Sequence, residues 1–212
     1  REGVNQYGDP VDILESGYVR FYELLGFIPK TISNFTKNVE MIFNKKRDLL
    51  IVVGGGSLPP QLYDRPHEDE LQPNRDRMEE QVIHYCVAHG IPIIATCRGM
   101  QYINVMFGGK LWYHPKLPVN RTRGVDHQVW LVKEQRNIWV NNYHSDCIYE
   151  EGLASCFEPL AIDRENHVVE AYGSDEMKIL ALQWHPERRF ETANAYEETR
   201  KIILDFIQKY VK

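Results

Sequence analysis

The period of the apolar positions changes about half-way along this chain. In the first half, residues 12–26 (DILESGYVRFYELLG) carry apolar side chains at helical spacing and stop at Gly26, which predicts a helix. LLIVVGGGS at 49–57 predicts a buried strand running into a glycine-rich turn, and the polar, proline-containing residues 58–76 predict a long loop. Residues 74–89 read as an amphipathic helix stopped by Gly90 and Pro92. Next, the apolar run Ile93, Ile94, Ala95 meets Cys97 and Gly99, and a helix-periodic segment follows that closes at Gly108 and Gly109. This is a strand entering a helix with a cysteine on the corner. The second half alternates differently. HQVWLV, NIWVN, EPLAI, HVVEAY and KILALQW are short, rich in Val, Ile and aromatics, and separated by polar turns, so each predicts a strand. A closing helix covers about 194–210, from the spacing of Ile202, Ile203, Phe206 and Ile207. With no repeat, low-complexity stretch or linker, the pattern predicts one α/β domain over 1–212, built on an open mixed sheet.

Composition narrows the picture. A chain of 212 residues with 43% hydrophobic content can bury a substantial core. The net charge of −5 gives no support to nucleic-acid binding. No apolar run approaches the roughly 20 residues that cross a bilayer, and the start of the chain has no signal-peptide pattern. Cys86, Cys97, Cys147 and Cys156 form no CxxC pair, so free thiols in a reducing cytosol are expected, and with them a cytoplasmic location. Cys86 is expected in the core, and Cys147 and Cys156 in structural roles. Trp112, Trp130, Trp139 and Trp184 are expected in the core or a pocket wall.

The chemistry centres on Cys97. A thiol at a helix N-terminus meets unpaired N–H groups and the positive end of the helix dipole, both of which favour the thiolate. A cysteine nucleophile needs a base, and the base an orienting group. LQWHPE at 182–187 supplies His185 at a strand end and Glu187 two residues on, suited to fix the imidazole tautomer. An isolated His-Pro is more often a surface turn, but alongside the cysteine corner the catalytic reading prevails. Gly54-Gly55-Gly56 can present backbone N–H groups to a developing oxyanion, and the Arg98 N–H is the natural second donor. No Gly-Lys-Ser/Thr follows, so this is not a phosphate loop. A GxSxG-type elbow fits poorly, because Ala95 stands where that motif has glycine and the histidine precedes the acid. His67-Glu68-Asp69-Glu70 reads as a solvated loop, or a rim over the pocket, rather than a metal site. No residue argues for a cofactor or a metal.

TCRGMQ (96–101), HPE (185–187) and GGG (54–56), in this order and spacing, resemble the class I glutamine amidotransferases. LPPQLYDRPHEDELQPNRDRMEEQVI and CRGMQYINVMFGGKLW are similar to the stand-alone γ-glutamyl hydrolases within that class, such as γ-glutamyl-γ-aminobutyrate hydrolase. The resemblance implies a flavodoxin-like fold with an open mixed, mainly parallel sheet, flanking helices and a β-rich second half. It implies cysteine hydrolysis of a γ-glutamyl amide through a thioester, with Cys97, His185 and Glu187 as the triad and Gly55 or Gly56 with Arg98 at the oxyanion. It places Gln101, His127, Gln128, Asn142, Tyr143, His144 and Ser145 along the glutamyl pocket. It also implies that the family's first strand is missing ahead of the 12–26 helix, as in a trimmed N-terminus. Two segments depart from the subfamily. His144-Ser145-Asp146 stands where it has two histidines and a glutamine, and Arg164-Glu165-Asn166 where it has Asp-Gly. Both are expected on the leaving-amine side. Lys116, Arg121, Arg123, Arg188 and Arg189 near the presumed pocket suit phosphate oxygens, so the expected substrates extend to γ-glutamyl phosphoramidates or nucleotide conjugates such as γ-glutamyl-CDP-amidate. A solvated basic surface explains the same charges equally well. The expected partner is a small-molecule substrate, with no nucleic acid and no membrane, for a monomer or homodimer. The alternatives are a glutaminase component feeding ammonia to a separate synthetase, and a non-catalytic binding domain on the same fold.

Overall fold

The computed structural model describes residues 1–43, 48–63, 71–113 and 123–211. Lys116, Arg121 and His67-Glu68-Asp69-Glu70 lie outside the described residues. The chain begins with an antiparallel ribbon, β1 (Glu2–Val4) and β2 (Pro10–Asp12), followed by α1 (Ser16–Leu24). The apolar spacing placed the helix start at residue 12. The structure corrects this, because Asp12 is spent on the ribbon and its carboxylate accepts from Ser33 and the Asn34 N–H. Then come β3 (Leu50–Val52), α2 (Pro73–His89), β4 (Ile93–Thr96) and α3 (Arg98–Met106). The second half supplies β5 (His127–Leu131), β6 (Arg136–Val140), β7 (Glu158–Asp163), β8 (Val168–Ser174) and β9 (Ile179–Leu182), closed by α4 (Ala195–Tyr210).

The main sheet has the order β3-β4-β9-β8-β7-β5-β6. β3, β4 and β9 are mutually parallel, and the remaining pairings are antiparallel. In direction, β3, β4, β9, β7 and β6 therefore run one way and β8 and β5 the other. This is the mixed α/β sheet with flanking helices that the sequence predicts. Alternation along the central strands sorts side chains into two cores. Ile93 and Ala95 of β4, with Ile179 and Ala181 of β9, pack with Val82, Ile83, Cys86 and Ile103 of α2 and α3. Ile94, Leu180 and Leu182 pack on the other face with Tyr18, Phe21 and Tyr22 of α1 and Ile203 of α4. Each such aliphatic side chain contributes about 1.5–3 kcal/mol on burial. Helices thus cover both faces, and the ends of three parallel strands open together, the usual place for a site in such sheets. Of the four tryptophans, Trp184 is fully buried, but Trp139 is 40% exposed. It sits on the edge strand β6 with its side chain on the outward register, which corrects its core assignment.

A buried ion network welds α2 to the strand ends. Glu79 accepts from Arg75 Nε and from Arg98 Nη1, each at 2.7 Å, and Arg98 also pairs with Asp76. Arg75 in turn donates to the carbonyls of Val53, Gly54 and Gly55. Burial opposes the Glu79 charge, but the two guanidinia outweigh it and hold its carboxyl below the usual range. Removing one partner of a buried ion network leaves the others uncompensated, at about 3–5 kcal/mol. Glu79→Leu is expected to lower the unfolding free energy in urea by about that amount; a loss under about 1 kcal/mol would show that the guanidinia find other partners.

Candidate active site

Cys97 sits on the corner between β4 and α3 with φ 53 and ψ −110. A non-glycine residue there is strained, and such strain persists only when the surroundings over-determine it. Here they do. The Cys97 N–H donates to Leu182 O of β9 at 2.8 Å, and the Cys97 carbonyl accepts from the Gln101 N–H as the first turn of α3. The corner turns the thiol out of the sheet, at the helix N-terminus.

His185 arrives from the neighbouring strand. Two buried residues, Gln183 and Trp184, follow β9, and Trp184 Nε1 is tied to Thr199 of α4. The backbone of His185 is clasped by Asn141, whose Oδ1 accepts its N–H at 2.9 Å and whose Nδ2 donates to its carbonyl at 2.8 Å. Pro186 lies in the tight turn that the Arg188 N–H closes on His185 O, and this swings Glu187 back under the ring. Glu187 Oε1 lies 2.6 Å from His185 Nδ1. An ionised carboxylate only accepts, so Nδ1 carries the proton and Nε2 is left for the thiol.

The electrostatics favour an ion pair. Burial alone would raise the Cys97 thiol, but the charge and hydrogen bond of His185 outweigh it, with His144 and the Arg98 N–H adding to them. The thiol therefore lies below its ordinary value. Burial would lower the His185 value, but the thiolate and Glu187 push it up to about 9. Below that value the imidazolium is retained, and it is lost as the pH rises through about 9. The chemistry available is attack by a thiolate on an electrophilic carbon beside a poised proton donor.

The glycine turn lies against this pair. Gly55 and Gly56 have φ of 86 and 79, and a Cβ on Gly54 would fall 2.9 Å from His185 Cε1 and 3.3 Å from Cys97 Cβ. Arg75 holds the turn's carbonyls on the side of α2. Cys97, Gly55, Gly56, Arg98, Gln101, Tyr143, His144, Ser145 and His185 all line one cavity of about 270 Å³. Gln101 Nε2 bridges Asp146 O and Gln183 Oε1 at its wall. Arg123 and Arg188 line it too, and the Arg188 guanidinium rests on the Tyr143 ring 4.5 Å from its centroid while pairing with Glu15 at 3.1 Å.

Other expected pocket residues stand elsewhere. Asn142 is buried behind the wall, and its side-chain amide has no partner among the described residues. His127 also stands behind the wall, with Nε2 3.5 Å from Glu170, which His144 approaches at 3.6 Å. Gln128 does not line the cavity. Strand alternation turns it to solvent, where its Oε1 accepts from Asn137, which corrects its placement. Arg164-Glu165-Asn166 form the β7–β8 turn rather than the cavity wall. Asp163 accepts from Glu165 and Asn166 there, and Arg164 lies over Trp130. Arg189 is exposed and is not among the cavity residues. Sequence reasoning missed Tyr18, Glu15 and Asn141, and gave Arg75 no role. Tyr18 reads as one more apolar position of α1, and Arg75 with Glu79 as a solvated i,i+4 pair. Among the described residues no cluster of three or more His, Cys, Asp or Glu could hold a metal, and no helix is long and apolar enough to cross a membrane.

The fold is that of the glutamine amidotransferases, and the family match and relatives make the chain a glutamine-amidotransferase-like amide hydrolase. The chain belongs to the Peptidase C26 family, whose profile matches residues 2–187. It is 28% identical over 202 residues to protein NtpR of Enterococcus hirae, covering 85% of this chain and 83% of that protein. It is 26% identical over 175 residues to the γ-glutamyl-γ-aminobutyrate hydrolase PuuD of Escherichia coli (strain K12), covering 70% and 67%. In fold it resembles a solved Thermoplasma acidophilum protein assigned to GMP synthase, with TM-score 0.64 and 20% identity over 91% of this chain and 88% of that one.

Alkylation of Cys97 by iodoacetamide is expected to titrate with a midpoint below the value of about 8.5 for an ordinary thiol, and His185→Ala is expected to move it upward. A wild-type midpoint at or above that of free cysteine would contradict the ion pair.

Proposed function

We propose that this protein hydrolyses γ-glutamyl amides, with Cys97 as nucleophile, His185 as acid and base, and Glu187 orienting His185. The observation that carries the proposal is the strained Cys97 corner facing an imidazole whose far nitrogen is held 2.6 Å from Glu187. The Cys97 thiolate adds to the γ-carbonyl carbon, and the oxyanion rests on N–H groups of the glycine turn and Arg98. The C–N bond breaks as His185 Nε2 gives its proton to the leaving amine. A γ-glutamyl thioester remains. His185, now neutral, takes a proton from water, hydroxide adds to the thioester carbonyl, and the C–S bond breaks. Glutamate leaves, and the thiolate and imidazolium are restored. One oxyanion donor is worth about 2.7–4 kcal/mol in comparable hydrolases.

The finer reading concerns the leaving group. Arg123 and Arg188 on the cavity wall favour an anionic amine. Stacked on Tyr143, Arg188 spends Nη2 on Glu15, and the rest of its planar guanidinium supports a contact to phosphate oxygens. A γ-glutamyl phosphoramidate or nucleotide conjugate fits this wall. Together with the sequence resemblance, it supports a γ-glutamyl-CDP-amidate hydrolase of bacterial capsule biosynthesis.

The test is a panel assayed with the protein alone: glutamine, γ-glutamyl methylamide, γ-glutamyl-γ-aminobutyrate and a γ-glutamyl phosphoramidate. Substituted amides are expected to turn over unaided, with the phosphoramidate preferred, and Cys97→Ala is expected to be inactive. Arg188→Ala is expected to cost about tenfold or more in kcat/KM on the phosphoramidate, as for a charged hydrogen bond, and little on the methylamide. No advantage for anionic leaving groups would remove the nucleotide reading. Idleness on all four would point to a glutaminase that works only with a synthetase.

A further inference from the structure

The hydroxyl of Tyr18 sits between the two halves of the site. It accepts the Gly54 N–H at 2.9 Å and lies 3.4 Å from His185 Nδ1. Tyr18 is only 4% exposed, so its own proton also needs an acceptor. His185 Nδ1 cannot be that acceptor, because it already donates its proton to Glu187. The Glu187 carboxylate raises the phenol's pKa, after burial itself, and its Oε2 is buried with no hydrogen-bond partner among the described residues, so it is the free acceptor at this junction. Helix α1 is shaped for this contact. A Cβ on Gly17 would meet Glu187 Cγ at 3.2 Å, so α1 presents bare backbone where the acid packs and the phenol one residue later.

We propose that Tyr18 is a positioning residue whose single oxygen locks the glycine turn to the His185–Glu187 pair. Accepting from Gly54, it fixes the turn that offers N–H groups to the oxyanion. Standing 3.4 Å from His185 Nδ1, on the side where Glu187 meets the ring, it limits how far the imidazole and the carboxylate can move apart. Arg75 grips the same turn from the opposite side through its carbonyls, so the turn is clamped between α1 and α2. Oxyanion donors and proton-transfer group are thereby set at a fixed spacing, which two independent loops would not provide. The inference rests on the amide-hydrolase reading of Cys97 but concerns a residue that reading does not use.

Tyr18→Phe removes the oxygen and keeps the ring in its core. Tyr22→Phe is the control. It lies one turn along the same helix, is equally buried, and has a hydroxyl without a hydrogen-bond partner among the described residues. Three readouts apply: steady-state kinetics on a γ-glutamyl amide, the pH profile of Cys97 alkylation, and the melting midpoint. For Tyr18→Phe, kcat is expected to fall about 10–100-fold, the range seen when hydrogen-bond partners of site residues are lost, with KM within about twofold. The alkylation midpoint is expected to move up, because the acid supporting the His185 charge is loosened. Tyr22→Phe is expected to leave the alkylation profile in place. A Tyr18→Phe protein with lowered melting but wild-type alkylation profile would show a packing role only and overturn the proposal, as would wild-type kcat. If the unmodified protein cleaves no γ-glutamyl amide, the functional reading fails by itself, and the alkylation profile still decides the role of Tyr18.

Discussion

The site depends on one ion pair, the Cys97 thiolate against the His185 imidazolium, formed where His185 is buried and Cys97 is only partly exposed at the cavity. Burial works against each charge separately, and only their mutual attraction, with Glu187 behind the ring, reverses the balance. The pair exists because β4 and β9 are adjacent and parallel, so a corner at the end of one faces a turn at the end of the other. The strain at Cys97 is sustained by the Leu182 carbonyl and by α3, and the orientation of His185 by Asn141 on its backbone and Glu187 on its ring. A change in any of these would move the thiol or the ring, and the attraction would weaken with distance.

Charge also fixes the scaffold around the pair. Apolar packing fills the two cores, but the glycine turn has no side chains with which to pack, so it is held by polar contacts. Arg75 takes its carbonyls, Tyr18 an N–H, and Glu79 joins Arg75 to Arg98 at the start of α3. The Arg98 guanidinium is therefore neutralised inside the protein, whereas at the cavity wall Arg188 shares Glu15 with Arg1, and Arg123 stands near them. The division separates a neutralised ion network beneath the glycine turn from charged groups at the cavity rim.

Much of this was legible in the sequence, because periodicity and special residues report local structure. The strands of the second half, the closing helix, the Cys97 corner and the triple-glycine turn all follow from alternation, helical spacing or the steric freedom of glycine. Long-range polar contacts were not legible. Arg75 and Glu79, four apart on a helix, look like any solvated pair until a third partner from α3 reaches them. Tyr18 carries an apolar ring that fits the α1 stripe, and nothing local reveals that its oxygen meets Gly54. Gln128 shows the reverse error. A motif-based assignment placed it in the pocket beside His127, whereas the two-residue period of β5 puts neighbours on opposite faces. The ribbon β1–β2 escaped notice because three-residue strands carry too little pattern to register.

The most direct measurement is the covalent state of Cys97 during turnover. Mixing the protein with a γ-glutamyl amide, quenching in acid and sequencing its peptides by mass spectrometry would reveal any acyl group. The account predicts one γ-glutamyl unit on the peptide containing Cys97, removable by hydroxylamine. Substrate consumed by the wild-type protein with Cys97 unacylated at every quench time, and consumed as fast by the Cys97→Ala protein, would contradict it.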